Sequence, residues 1–250
     1  MPYYKPHNPT AGLTQVAEGT AIFIDLDGTI MKFPFKRKIL SYAIRELSEQ
    51  TNTSPLKIKG MLMDKEYARE KSLSDRRYDW DDIVREVARE LGTEWKHDLG
   101  KIAEESSISN SFIYPRTKRT LRGLRKSGYT LYAATNGLYR YQNPILEKLD
   151  LRKYFDYIIA PDKDGYYKNE NEFFRPYMPK QGFSVMVGDE YGYDVYYPKK
   201  FGLKAVLLRR PQNYRWSLEG ATPVGSDAEE PDAIIYDISE LPRALKGILT

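Results

Sequence analysis

Ala21-Ile22-Phe23-Ile24 is a run of consecutive apolar residues that stops abruptly at Asp25-Leu26-Asp27-Gly28-Thr29. A strand with one wet face alternates apolar and polar residues, whereas a strand apolar throughout must be covered on both faces, as in a parallel sheet packed between helices. Comparable runs recur at Tyr129 to Ala134, Tyr157 to Ala160, Ser184 to Val187, Lys204 to Leu208 and Ala233 to Tyr236. Helical patterns separate most of them. Leu121 and Leu124 share one helical face before Gly128, and Pro144 reads as the opening of a helix carrying Ile145, Leu146 and Leu149. Strands alternating with helices predict crossover units and an α/β fold with a parallel sheet.

The alternation lapses between Pro34 and Asn110. Ile39, Ala43 and Leu47 repeat at helical spacing, as do Ile83, Val87 and Leu91, with Asp79 as a cap and Gly92 as a stop; Ser54-Pro55 reads as another helix start, and Trp95, Leu99 and Ile102 form a further stripe. The expected organisation is an arm over residues 1–19, an α/β domain from 20–33 and 111–250, and a helical second domain over 34–110, joined by linkers near 32–35 and 109–115.

Composition removes several chemistries. The 250 residues contain no cysteine and only two histidines, His7 and His97. Disulfides, thiolate metal sites, a cysteine nucleophile, a histidine-rich zinc site and a serine-histidine triad all fall away. A net charge of +4, with 39 basic and 35 acidic residues interspersed, is small for a nucleic-acid binder. The basic run Arg116 to Lys126 reads as the wet face of the helix whose inner positions are Leu121 and Leu124. No apolar run approaches the roughly 18 to 20 residues needed to span a bilayer, and residues 1–19 lack a secretory signal's apolar middle. A cytoplasmic protein is expected.

Parallel sheets bind ligands beyond the carboxyl ends of their strands. The polar residues there are Asp25 and Asp27, then Thr135-Asn136-Gly137, then Lys168 in the loop after Ile158-Ile159-Ala160, then Gly188-Asp189-Glu190. No dinucleotide loop, Walker lysine loop, nucleophile elbow or His-Glu-x-x-His accompanies them. An EF-hand starting at Asp25 fails because Thr29 and Ile30 stand where a ligand and a glycine are needed.

In this order and spacing the residues resemble the haloacid dehalogenase-like superfamily, from Thr20 to the C-terminus. Asp25-Leu26-Asp27-Gly28-Thr29 is similar to its nucleophile loop, Thr135-Asn136 to its second motif, Lys168 to its third, and Gly188-Asp189 with Asp194 to its acidic fourth. Thr135 to Lys168 and Lys168 to Asp189 are 33 and 21 residues apart, also as in that family. The helical insert after the first motif resembles the cap of the subgroup containing phosphoglycolate phosphatase and β-phosphoglucomutase. The family's proline after the lysine is replaced here by Asn169.

The resemblance implies a Rossmann-like core with a helical cap and a magnesium-dependent phosphatase working on a small phosphorylated metabolite. Asp25 would attack phosphorus, Asp27 would protonate the leaving alkoxide and then take a proton from water, and Thr135 and Lys168 would bind the transferring group. Gly28, Thr29, Asn136 and Gly137 would contribute further substrate contacts. Magnesium, which favours an all-oxygen shell, would be held by Asp25, Asp27 and Asp189, one ligand being a backbone carbonyl. Asp194 reads either as a helix cap or as a partner to the metal ligands, and Glu190 either faces solvent or contacts metal-bound water. A phosphomutase and a catalytically silent binding protein are the alternatives; a dehalogenase would leave Asp27 and the metal without a task.

Overall fold

The computed structural model describes residues 19–210 and 227–249. The expected arm over residues 1–19 therefore lies almost wholly outside the described residues, as does His7. The expected strands form as β1 Ala21–Ile24, β2 Thr130–Ala134, β3 Tyr157–Ile159, β4 Ser184–Gly188, β5 Lys204–Leu208 and β6 Ala233–Ile235. They lie parallel in the order β3-β2-β1-β4-β5-β6.

Side chains alternate across the pleat. Ile22 and Ile24 enter one apolar layer with Leu131, Ala133, Val185 and Val187. Ala21 and Phe23 enter the opposite layer with Tyr132, Ala134, Met186, Phe173 and Phe174. Covering both faces is what an uninterrupted apolar strand demands. From β1 the sheet extends to β3 on one side and to β6 on the other, so strand order reverses at β1 and a crevice opens beyond its carboxyl end.

Helices α1 Leu40–Thr51, α2 Pro55–Lys71, α3 Trp80–Glu90 and α4 Leu99–Glu105 occupy the chain between β1 and α5 Thr117–Lys126. Ser54 and Asp79 cap α2 and α3 as expected, accepting from Lys57 N–H and Asp82 N–H, and Asp98 caps α4 in the same way. Each cap satisfies an N–H that the first turn leaves without a helical partner. A π turn over Phe35–Ile39 leads into α1. One apolar layer runs from Ile22 and Ile24 through Leu47, Ile58, Val87 and Leu99.

Polar contacts tie these helices to the sheet. Met31 pairs antiparallel with Ile113, with Lys32 N–H donating to Phe112 O at 2.7 Å and Tyr114 N–H to Ile30 O at 3.1 Å. At the start of α3, buried Asp81 accepts from Tyr141 Oη at 2.7 Å and from Leu99 N–H at 2.9 Å, while Arg140 reaches Asp79 at 2.6 Å.

One local expectation changes, and a second proline is accommodated by a π turn. The helix placed at Pro144 is α6, Tyr139–Lys148, with Pro144 inside it. Asp162 accepts from the N–H groups of Tyr139 and Arg140 and fixes the earlier start, and an interior proline deletes a single intrahelical donor. After β4 the helix opens as a π turn, Gly192–Tyr196, so Pro198 falls in the first turn of its continuation Tyr197–Lys200, where a missing N–H is tolerated. Among the described residues, no helix is long and apolar enough to cross a membrane.

Candidate active site

The β1 ladder continues one residue past the strand, with Asp25 N–H donating to Val187 O at 2.9 Å. The chain then curls, because Ile30 and Met31 both donate to Leu26 O. Gly28 has φ +89°, and a Cβ there would sit 2.2 Å from Asp189 Oδ2, so only glycine fits. Beneath the carboxylates, fully buried Thr29 places its hydroxyl 3.0 Å from Asp25 Oδ2 and 3.1 Å from Asp189 Oδ1. Gly28 and Thr29 therefore shape the floor of the site; neither is among the residues lining the cavity above it.

Lys168 is 2% exposed, with Nζ 2.6 Å from Asp25 and 2.8 Å from Asp194. Its backbone N–H donates to Asn136 Oδ1 at 2.9 Å, which ties the lysine loop to the loop after β2. Lys163, the nearest alternative lysine, instead lies over the Tyr157 ring at 3.6 Å. Burial works against the charge on Lys168, but Asp194 and Asp25 outweigh it and hold the ammonium protonated well above its usual range. Burial raises the Asp25 carboxyl despite the opposing lysine. Burial, with Asp25 and Asp194 adding repulsion, raises Asp189.

Asp27 is turned elsewhere. Gln142 of α6 donates Nε2 to its Oδ2 at 2.9 Å, and Oδ1 has no partner among the described residues. Burial pushes the Asp27 carboxyl up to about 6 against the Gln142 hydrogen bond. The amide passes through space that Gly137 leaves open, since a Cβ at Gly137 would lie 2.5 Å from Gln142 Nε2. Thr135 Oγ1 accepts from Gly137 N–H at 2.9 Å.

Asp194 sits inside the π turn rather than at its N-cap, Tyr191. Its carboxylate accepts from Lys168 and from Glu190 N–H at 2.9 Å. Asp25, Asp189 and Asp194 each offer an oxygen within 4.8 Å of the others. The donor set is wholly oxygen, and two of its members carry carboxyls raised by burial and mutual repulsion, a balance a divalent cation would reverse. The side chain of Asp27 is outside this trio.

The cavity above these groups holds about 480 Å³. Asp25, Asp27, Thr135, Asn136, Gly137, Lys168, Asp189, Glu190 and Asp194 line its sheet side, and Phe35, Lys36, Glu66, Tyr67, Tyr78 and Trp80 line the side built by the helices. Lys36 is paired with Glu66 at 2.6 Å and lies over the Trp80 ring.

Three contributors escape a reading confined to strand ends and spacing. Gln142 gives no sequence signal, since its role depends on where α6 crosses Asp27. Arg77 sits in a polar loop between helices. Arg210 is two residues beyond β5 and would have been found by extending the strand-end search to that strand. It donates to Thr29 O at 2.9 Å and Gly28 O at 3.3 Å, with its guanidinium 3.8 Å from the Tyr114 ring, and so braces the loop after β1.

A family model described as haloacid dehalogenase-like hydrolase matches residues 20–199. The phosphoglycolate phosphatase of Escherichia coli (strain K12) is 29% identical over 170 residues, 66% of this chain and 62% of that protein. The glyceraldehyde 3-phosphate phosphatase of Pyrococcus furiosus is 26% identical over 182 residues, 68% of each chain. The chain thus spans about two thirds of the length of these curated relatives. The crystal structure of a HAD phosphatase from Thermococcus onnurineus superposes with a TM-score of 0.68 at 26% identity, covering 92% of this chain and all of that one. With a match over most of its length and the motif residues converging at the sheet's switch point, the chain belongs to the haloacid dehalogenase-like hydrolases.

Proposed function

We propose that this hydrolase is a magnesium-dependent phosphatase that cleaves a small phosphorylated metabolite of the cytoplasm through an aspartyl-phosphate intermediate. The observation that carries the reading is the division of labour between Asp25 and Asp27. Asp25 is ion-paired to a buried lysine at 2.6 Å, while Asp27, two residues on, is hydrogen-bonded to a neutral amide and raised to about 6. Burial raises both carboxyls, Asp25 to about 7 and Asp27 to about 6. What separates them is their partners: Lys168 and a divalent cation, when bound, would hold Asp25 charged for attack, whereas Asp27, facing a neutral amide, can carry a proton.

One Asp25 oxygen bonds to phosphorus as the ester's phosphorus–oxygen bond to the alcohol breaks. Asp27 passes its proton to the departing alkoxide. A water then attacks phosphorus, Asp27 takes a proton from it, and the Asp25–phosphorus bond breaks to release phosphate. Lys168, the Thr135 hydroxyl and neighbouring backbone amides stabilise the equatorial oxygens as charge redistributes. Asp25, Asp189 and Asp194, with the backbone carbonyl of Asp27, would hold magnesium, which when bound offsets the repulsion between carboxylates and phosphate. Residues 34–110 serve as the cap, closing the crevice with Phe35, Lys36 and Trp80 and selecting the alcohol.

The test is hydrolysis of p-nitrophenyl phosphate and a panel of sugar and two-carbon phosphates with magnesium in oxygen-18 water. One labelled oxygen in the released phosphate is expected, together with a phosphorylated Asp25 in rapidly quenched enzyme. Interconversion of sugar monophosphates with little phosphate released would assign a mutase, and inertness toward every ester would leave a binding protein.

A further inference from the structure

Arg77 is 2% exposed, and the groups that hold its guanidinium among the described residues are neutral: a backbone carbonyl, a side-chain amide and an aromatic ring. A buried cation held only by neutral groups is expensive to keep. The groups that hold it surround one residue. Nη2 donates to Asn169 Oδ1 at 2.8 Å, and the guanidinium plane lies 3.6 Å from the Tyr167 ring. Nη1 donates to Ser74 O at 3.4 Å, which anchors the arginine to its own loop between α2 and α3. Tyr167 Oη donates in turn to Asp75 O at 2.8 Å. Both chain neighbours of Lys168 are thus gripped by residues 74–77 of the inserted helices, and Glu170 N–H donates to Tyr167 O at 2.9 Å to close the turn that carries the lysine.

We propose that Arg77 is a positioning residue for Lys168: the loop between α2 and α3 clasps the lysine turn through Tyr167 and Asn169, so the lysine is correctly placed only while the inserted helices are docked. The inference rests on Lys168 being the phosphate-binding lysine. Beyond closing the crevice and selecting the alcohol, the insert would then hold part of the chemical apparatus. The replacement of the family's usual proline by Asn169 fits this arrangement: rigidity that proline would supply within the turn comes instead from across the crevice.

The experiment is a double-mutant cycle on kcat for p-nitrophenyl phosphate with magnesium, using Arg77→Lys, Asn169→Ala and Lys168→Ala, with thermal unfolding and circular dichroism confirming that each variant is folded. Arg77→Lys keeps a charge but loses the planar stack and fork; Asn169→Ala removes the acceptor from the other side and is the variant to use should Arg77→Lys fail to fold. Each is expected to lower kcat at least tenfold in the wild-type background and less than twofold where Lys168 is already alanine. Asn169→Asp, which retains an acceptor for Arg77, should stay within about threefold of wild type. Equal losses with and without Lys168 would overturn the clasp while leaving the phosphatase reading intact. A fully active Lys168→Ala enzyme would overturn both.

Discussion

Gln142 and Asp27 meet across 2.9 Å through a gap that exists because residue 137 has no side chain. The amide donates to one Asp27 oxygen, which orients the carboxyl and leaves Oδ1 as the oxygen without a partner among the described residues. Gln142→Leu removes the donor at similar volume. The expected result is a kcat about tenfold lower for an alkyl phosphate, equivalent to roughly 1.4 kcal/mol, and little change with p-nitrophenyl phosphate, whose alcohol leaves without a proton. Equal losses with both esters would show that the amide does not serve proton transfer. Gly137→Ala should reproduce the same pattern by displacing the amide.

Removing divalent cations should stop turnover and magnesium should restore it. Calcium should not, because its longer bonds and looser shell would hold the Asp25 oxygen away from phosphorus. Assays in chelator, then in excess of each cation, check this; unchanged rates in chelator would reject the metal role of Asp25, Asp189 and Asp194.

The strand-end residues were legible because a parallel sheet converts sequence order into spatial convergence: Asp25, Asp27, Thr135, Asn136, Lys168, Asp189 and Asp194 come from four separate loops and share one cavity. The strands were equally plain, since runs such as Val185-Met186-Val187 can lie only between two covering layers. Contacts created by helix docking were not. Gln142 reaches Asp27, and Arg77 reaches Asn169 across 92 positions in sequence, and no local pattern records a crossing angle. The start of α6 was obscured because Pro144 looks like a boundary, while the residue that sets the boundary, Asp162, belongs to another loop.

Asp232 offers a test of stability against pH. Burial acts to raise its carboxyl, but the Ala205 N–H at 2.8 Å and Lys199 at 3.0 Å prevail and hold it below the ordinary value of 3.8. A carboxyl depressed by folding contributes stability that is present above its unfolded pKa and lost as pH falls through the folded one. Asp232→Asn should therefore lower unfolding stability by about 1 kcal/mol at pH 7, and the gap to wild type should narrow from about pH 4 downward. Denaturant titrations at pH 7 and pH 3 measure it; a gap independent of pH would refute the assignment.

Tyr141→Phe should cost about 1 to 3 kcal/mol, or a few degrees in Tm for a chain of this size, because Asp81 loses the 2.7 Å donor that joins α3 to α6. Since Tyr141 lines the cavity and the substitution keeps its ring, kcat should change less than stability. Differential scanning calorimetry beside a standard assay separates the two.

The pairing of Met31 with Ile113 gives the inserted helices a peculiar relation to the sheet. The chain leaves and returns as neighbouring strands of one short ribbon, so from the sheet's side everything between Lys32 and Phe112 is equivalent to the loop of a hairpin. Bringing the ends of a long segment together carries an entropy that grows only slowly with length, and here the ribbon itself holds the ends. The register of β1 against β2 is therefore insulated from the length of what lies between them. A different helical segment could be grafted at this ribbon without shifting that register, provided it again covers the apolar layer that begins at Ile22 and Ile24 and again holds the Lys168 turn.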